Sequence, residues 1–347
     1  MTDKLRVGIL GLTHDHIWGN LDNLKGSPLG ELAAAADPNP ELQDKIRSHY
    51  DCPQVFDSYE NMLDQVDLDA VYIYADNATS AELAVMALER GLPAMVEKPM
   101  AADLAGADRM LAAARTAERQ LMINWPFAWW ASLQHALGMV QSGEIGRLFS
   151  MKYRAAHAGP KELGCTPYFY NWLHDAALNG AGALMDYCCY GTALARYLLG
   201  RPSRVTAVAD RLEKNYITLE DNAVIIMHWP GAIAISEASW TQIGNLTSYI
   251  PHFYGSDGTL VLEPRPAGRL LLATRDQPDG VEIEPPDLPQ ESQNATAYFL
   301  SRVANNLPIE GLCSAEVGRD AQEILEAGLL SAGSGTAVSL PLPIDYT

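Results

Sequence analysis

The sequence predicts a doubly wound, parallel α/β sheet followed by an α+β domain built on a large, mostly antiparallel open sheet. Up to about Asn124, short apolar runs alternate with helical stretches, and that alternation makes right-handed βαβ units with parallel strands. Beyond Asn124 the strands lengthen and are joined by tight turns such as Pro230-Gly231 and Asp257-Gly258, the mark of antiparallel hairpins. A chain of 347 residues also exceeds what one core usually organises, so two domains, 1–124 and 125–347, are expected.

Taken in order, Arg6-Val7-Gly8-Ile9-Leu10 reads as a strand that breaks at Gly11 into Leu12-Thr13-His14-Asp15-His16. A dinucleotide fingerprint, Gly-x-Gly-x-x-Gly, would fall here. Only Gly11 is kept: Thr13 stands where glycine admits the pyrophosphate, and His16 where glycine lets helix pack on strand. The context is nonetheless that of a Rossmann domain, and Gly8, Gly11, Leu12, Thr13, His14 and His16 form its candidate cofactor turn, where a partly charged imidazole suits a pyrophosphate. A metal pair at His14 and His16 is disfavoured, because residues two apart do not share a helix face and no third ligand is evident; no metal is expected. Glu31 to Ala36 is a second strand, ending at Asp37-Pro38. An acid there is placed to accept both ribose hydroxyls and to repel a 2′-phosphate, which favours NAD over NADP. The alternative is that Asp-Pro simply opens a turn.

The alternation continues through a helix at 40–49, a short strand at Val55-Phe56, a helix from Ser58 to Gln65, and a buried strand at 69–74 that runs into Ala75-Asp76-Asn77. A helix from Thr79 to Arg90 closes at Gly91. Ala94-Met95-Val96 then makes a short strand apolar on both faces, ending in Glu97-Lys98-Pro99, where proline halts the ladder. Ligands of open α/β sheets sit beyond this carboxyl edge, so Glu97 and Lys98 are site candidates, with a solvated charge pair as the alternative. An alanine-rich helix at 103–118 and a strand from Leu121 to Asn124 complete the set.

The formal charge of −19, from 43 acidic and 24 basic residues, opposes nucleic-acid binding, and no basic cluster overrides it. No apolar run approaches the roughly 18 residues of a membrane span, and no apolar leader precedes the first strand. Five cysteines, with Cys188 and Cys189 adjacent, suit neither a disulfide framework nor a CxxC metal site. A cytoplasmic protein without membrane contact is expected.

From Arg147 the predicted strands are Arg147–Ala156, Arg204–Ala209, Ala223–Trp229, Ala232–Trp240 and Ser248–Tyr254, with helices near 130–142, 291–306 and 314–333. Between them, Gly180 to Gly191 leads into a helix that stops at Gly200. Asp186 and Tyr190, four apart, project from one face of it. A carboxylate and a phenol in an otherwise apolar helix serve either a site or one another. His174, in Trp172-Leu173-His174-Asp175, reads as an acid–base group or as a loop histidine packing on Trp172; His157 reads as a substrate contact or a strand end. Trp125, Trp129, Trp130, Tyr168, Tyr170 and Trp172 offer ring faces to a sugar, or to a core.

Together these motifs resemble the Gfo/Idh/MocA family of oxidoreductases over nearly the whole chain. Glu97-Lys98-Pro99 is similar to the family's Glu-Lys-Pro, and Gly180 to Gly200 to its glycine-rich lead into Asp-x-Gly-x-His/Tyr. Ala75-Asp76-Asn77-Ala78-Thr79-Ser80 occupies the place of its Thr-Pro-Asn-x-x-His loop. Glu220-Asp221-Asn222, Ala238-Ser239-Trp240 and Tyr254 to Thr259 fall where the family has similar strand and turn signatures. The resemblance implies hydride exchange between NAD(P) and a sugar, polyol or related secondary alcohol. It places Ala75, Asp76, Asn77, Glu97, Lys98 and Asn124 at the cofactor, and Lys98, Asp186 and Tyr190 at the chemistry, with His174 as the alternative base. It also implies a cis Lys98-Pro99 bond, and a homodimer or homotetramer formed through the C-terminal sheet, whose apolar face needs a cover. Two other activities stay open at this point. One is glycoside cleavage through transient oxidation on NAD; the other is nucleotide-binding regulation without turnover. The intact Lys98, Asp186 and Tyr190 argue against a regulator, and the eroded glycine turn argues for it.

Overall fold

The computed structural model describes residues 4–263 and 268–343. The described chain falls into two compact units. The first holds the residues up to Pro126 together with Cys165–Trp172 and Pro289–Arg319; the second holds Phe127–Gly164, Leu173–Leu288 and the residues from Asp320 on. Two stretches that the sequence assigns to 125–347 therefore belong with the first unit. Packing explains it. Leu300 lies where a side chain on Gly30 would stand, Phe299 meets the ring of Tyr72, and Ser314 bridges to Met122.

The first unit is a six-stranded sheet of β1 (Leu5–Leu10), β2 (Gly30–Ala36), β3 (Val55–Phe56), β4 (Ala70–Ile73), β5 (Ala94–Glu97) and β6 (Leu121–Asn124). Every neighbouring pair is parallel, in the order β3-β2-β1-β4-β5-β6. The order reverses between β1 and β4, which makes the carboxyl edge there the expected ligand crevice. Helices α1 (His16–Lys25), α2 (Pro40–Tyr50), α3 (Tyr59–Gln65), α4 (Asn77–Glu89) and α5 (Leu104–Ala117) join the strands. Ser58, Asp76 and Asp103 cap three of them by accepting from the amides of Asn61, Thr79 and Gly106, so the starts are written in the local sequence. Strand residues such as Ala35, Tyr72, Val96 and Ile123 are enclosed on both faces, which is why these strands are apolar throughout.

The second unit carries a nine-stranded sheet in the order β14-β13-β12-β11-β7-β10-β9-β8-β15. Its strands are β7 (Leu148–Ala156), β8 (Arg204–Asp210), β9 (Asn222–Trp229), β10 (Ala232–Ser239), β11 (Ile250–Gly255), β12 (Gly258–Leu262), β13 (Leu270–Thr274), β14 (Val281–Ile283) and β15 (Val338–Ser339). Five of these match the predicted strands. Of the remaining four, β13, β14 and β15 escaped because they are short and little buried, and their pairing partners rather than their own pattern make them strands; β12 does alternate, with Leu260 and Leu262 buried, and went unread beside the Asp257-Gly258 turn. All pairs are antiparallel except β7 with β10, which run parallel. Helix Cys189–Leu199 lies on this sheet at close range: a Cβ on Gly191 would stand 2.2 Å from Ser236 Oγ of β10.

Gly11 is the fingerprint position the chain could not change. Its φ is +84°, and a Cβ there would lie 2.7 Å from the Ala75 amide nitrogen. Gly11→Ala should therefore lower the urea midpoint, with a loss of at least about 1–3 kcal/mol from the left-handed backbone alone and an unchanged m-value. An unshifted midpoint would show that the turn relaxes freely.

Candidate active site

At the carboxyl edge of the first unit, β5 ends on Glu97 and β6 on Asn124, paired in register. Asn124 Nδ2 donates to Glu97 Oε2 at 2.7 Å and to the Tyr74 hydroxyl at 3.3 Å. His16 Nδ1 stands 3.1 Å from Glu97 Oε1. The carboxylate is buried, the His16 side chain 43% exposed. Burial and the neighbouring Glu97 push the Tyr74 phenol well above its ordinary range, so it stays protonated. Lys98 follows directly, only 2% exposed, with its amide donating to Asn124 O and a cis bond to Pro99.

His14 is enclosed by the rings of Phe169, Trp172, Tyr74 and His16. Burial first, then His16 and Lys98, hold its pKa well below the usual imidazole range. It is thus neutral and supplies no charge to a pyrophosphate, contrary to expectation; His16 is the exposed member of the pair. Asp15, between them, accepts from both the amide and the hydroxyl of Thr166, which ties 165–172 to the turn.

Asp37 is wholly buried. Its Oδ2 accepts from the Leu12 amide at 2.7 Å, and its Oδ1 from the Asn39 amide and side chain. Both oxygens are thereby committed to holding the turn, so accepting two ribose hydroxyls would require Asn39 to give way. Burial raises the Asp37 pKa against these bonds. Gly8 lies inside β1, where a Cβ would meet Leu68 at 2.6 Å, so its size serves packing rather than a ligand. Asp76 caps α4, Asn77 is buried in its first turn, and Ala75 backs Gly11.

In the second unit, Asp186 lies in a π-helical turn, Leu184–Cys188, just before helix Cys189–Leu199. Such a turn is a frequent device at functional sites. Its Oδ2 accepts from Trp240 Nε1 at 3.1 Å. Tyr190 stacks near Tyr153 and meets Phe127, Tyr187 and Tyr249 edge-on. Tyr249 and Tyr187 share a hydrogen bond of 2.5 Å between hydroxyls. Within this unit the His174 ring neighbours Trp240 and Tyr216, and burial lowers its pKa. His157 Nδ1 accepts from the Gly159 amide, and its ring meets Tyr187. Tyr187 and Tyr249 were not singled out from the sequence, and Trp240 only as part of the Ala238-Ser239-Trp240 signature, without a role at the site. Their role depends on strands returning beside the helix, a signal no local pattern carries. Of the six aromatics proposed as ring surface, Trp125 and Trp172 are core residues.

The turn fits a dinucleotide. The amides of Gly11, Leu12 and His14 are taken by Ala36, Asp37 and Tyr74, and that of His16 by His14. The Thr13 amide has no acceptor among the described residues and sits before the N-terminus of the ten-residue α1, where a phosphate is favoured.

A parallel sheet that reverses its order between β1 and β4, with this polar carboxyl edge, is the architecture of a doubly wound, dinucleotide-binding type of domain. A model described as the oxidoreductase family with an NAD-binding Rossmann fold matches residues 5–125, and one described as the GFO/IDH/MocA C-terminal domain matches 133–261. The chain belongs to the Gfo/Idh/MocA family. It is 26% identical over 347 residues to D-apiose dehydrogenase of Paraburkholderia graminis, covering 96% of this chain and 88% of that protein. It is likewise 26% identical over 311 residues to the dTDP-3,4-didehydro-2,6-dideoxy-alpha-D-glucose 3-reductase of Streptomyces violaceoruber, covering 86% and 85%. A levoglucosan dehydrogenase solved with NADH has the same fold, with a TM-score of 0.83 at 21% identity over 98% of this chain and 100% of that one. No helix among the described residues is long and apolar enough to cross a membrane.

Proposed function

We propose that the protein is an NAD-dependent dehydrogenase or reductase acting on a secondary alcohol of a sugar or polyol. The observation that carries this is Lys98: a lysine almost wholly removed from water at the carboxyl edge of a dinucleotide-binding sheet. Support for the substrate class comes from the named relatives, which are sugar dehydrogenases and reductases. The ring faces around Tyr190 suit the same class.

Bound nicotinamide supplies the hydride acceptor or donor. The chain manages the proton. Tyr190 serves as the base for the hydroxyl proton, although a free phenol near pKa 10 is a weak base at neutral pH. Lys98 is assigned to lower that pKa by favouring the phenolate, and Asp186, held by Trp240, to orient the partner groups. His174, neutral by burial, is the reserve base.

NAD is assigned over NADP because residues 37–44 carry three acids, Asp37, Glu41 and Asp44, and no cation to hold a 2′-phosphate. A second copy of the chain is assigned to the outward face of the second unit's sheet. There Val208, Val224, Ile226, Ile233 and Ile235 stand in register on β8, β9 and β10, exposed or half-buried.

Three measurements test these assignments. Lys98→Ala and Tyr190→Phe should each cut turnover by about 10²–10⁴, and the double variant should be little worse than either; near-normal turnover in Tyr190→Phe would pass the role to His174. Fluorescence titration should show NADH binding more tightly than NADPH, and the reverse order would overturn the cofactor assignment. Light scattering at micromolar concentration should give a dimer or tetramer that Ile226→Glu dissociates, whereas a wild-type monomer would leave the sheet face without the assigned partner.

A further inference from the structure

We propose that His14, His16 and Glu97 form a binding site for one divalent transition-metal ion of the zinc class. One ligand atom from each residue lies within 4.8 Å of the other two. The objection from sequence, that residues two apart cannot share a helix face, does not apply: His14 precedes α1 and His16 opens it. The His14 amide donates to Tyr74 O at 3.0 Å, which turns that residue inward. The third ligand comes from β5, 81 residues away, and already stands 3.1 Å from His16 Nδ1.

Two imidazoles and one carboxylate are a zinc-type donor set, and imidazole disfavours magnesium and calcium, which take oxygen ligands. Donors about 2.1 Å from a tetrahedral ion stand roughly 3.4 Å apart, a range His16 and Glu97 already reach, so the widest of the other separations must close by up to about 1.4 Å. The exposed His16 ring, already beside Glu97, provides the entry path. The outer shell is in place. Asn124 holds Glu97 Oε2 and leaves Oε1 facing His16, while Phe169 and Trp172 wall off His14. Ligation through His14 Nδ1 would displace only a long contact, 3.3 Å, from the His16 amide, and ligation through Nε2 would leave it in place. Three protein ligands leave a fourth position for water or a ligand oxygen.

Binding is read without turnover, so this inference stands or falls apart from the proposed dehydrogenase. The metal-free full-length protein is titrated by calorimetry with zinc and, separately, with magnesium, and its cobalt(II) absorption spectrum is recorded. The expected result is one zinc per chain, no magnesium heat, and visible cobalt bands of a four- or five-coordinate site. His16→Gln and Glu97→Gln, with folding checked by circular dichroism, should each weaken zinc at least about 100-fold, and Asn124→Ala by about 10–100-fold. The absence of saturable zinc binding, or zinc affinity that neither His16→Gln nor Glu97→Gln changes, would overturn the site.

Discussion

A carboxylate withdrawn from water is tolerated only where hydrogen bonds replace its hydration, and Glu97 is such a group. It is held from two sides, by Asn124 at the end of the neighbouring strand and by His16 at the start of α1. The parallel register that sets Glu97 opposite Asn124 makes the first bond, and the turn after β1 makes the second. Three separate stretches of sequence thus meet on one buried charge, and Lys98, next along the chain, inherits its position from that arrangement. Breaking one partner while leaving the carboxylate buried would cost more than the bond itself contributes.

The second unit solves a different problem: it must hold a carboxylate in a π-helical turn and a phenol on the helix that follows, against a sheet. The parallel pairing of β7 with β10 requires the chain to leave the sheet and return, and the helix Cys189–Leu199 lies on that excursion. Gly191 lets the helix approach β10 closely enough that Trp240, just past the end of that strand, reaches Asp186. The π-helical turn at Leu184–Cys188 is the local irregularity that accompanies this geometry.

The degraded glycine fingerprint acquires a physical explanation. Gly11 is fixed by backbone conformation and by the proximity of Ala75, a demand of the fold. At the third position, glycine has been replaced by a histidine whose ring turns outward to Glu97 instead of entering the strand–helix contact. Asp37, which the sequence marks as a ribose acceptor, also holds the turn, accepting from Leu12 and Asn39.

Local pattern alone determined the strands and helices up to Asn124 almost residue by residue, because each buried parallel strand must be apolar on both faces and three of the helices, α3, α4 and α5, open on a capping side chain. It likewise marked the Glu97-Lys98-Pro99 edge and drew attention to Asp186 and Tyr190, since a polar group inside an apolar run is visible one residue at a time. What it could not supply was the partner of each group. Glu97 as neighbour of His16, Trp240 as donor to Asp186, and 289–319 as part of the first unit all join residues dozens to hundreds of positions apart. The short strands β13 and β14 likewise depend on their partners, β13 pairing with β12 and β14 with β13. Such pairings arise when the sheets close and bury side chains against one another, so the tertiary structure alone decided them.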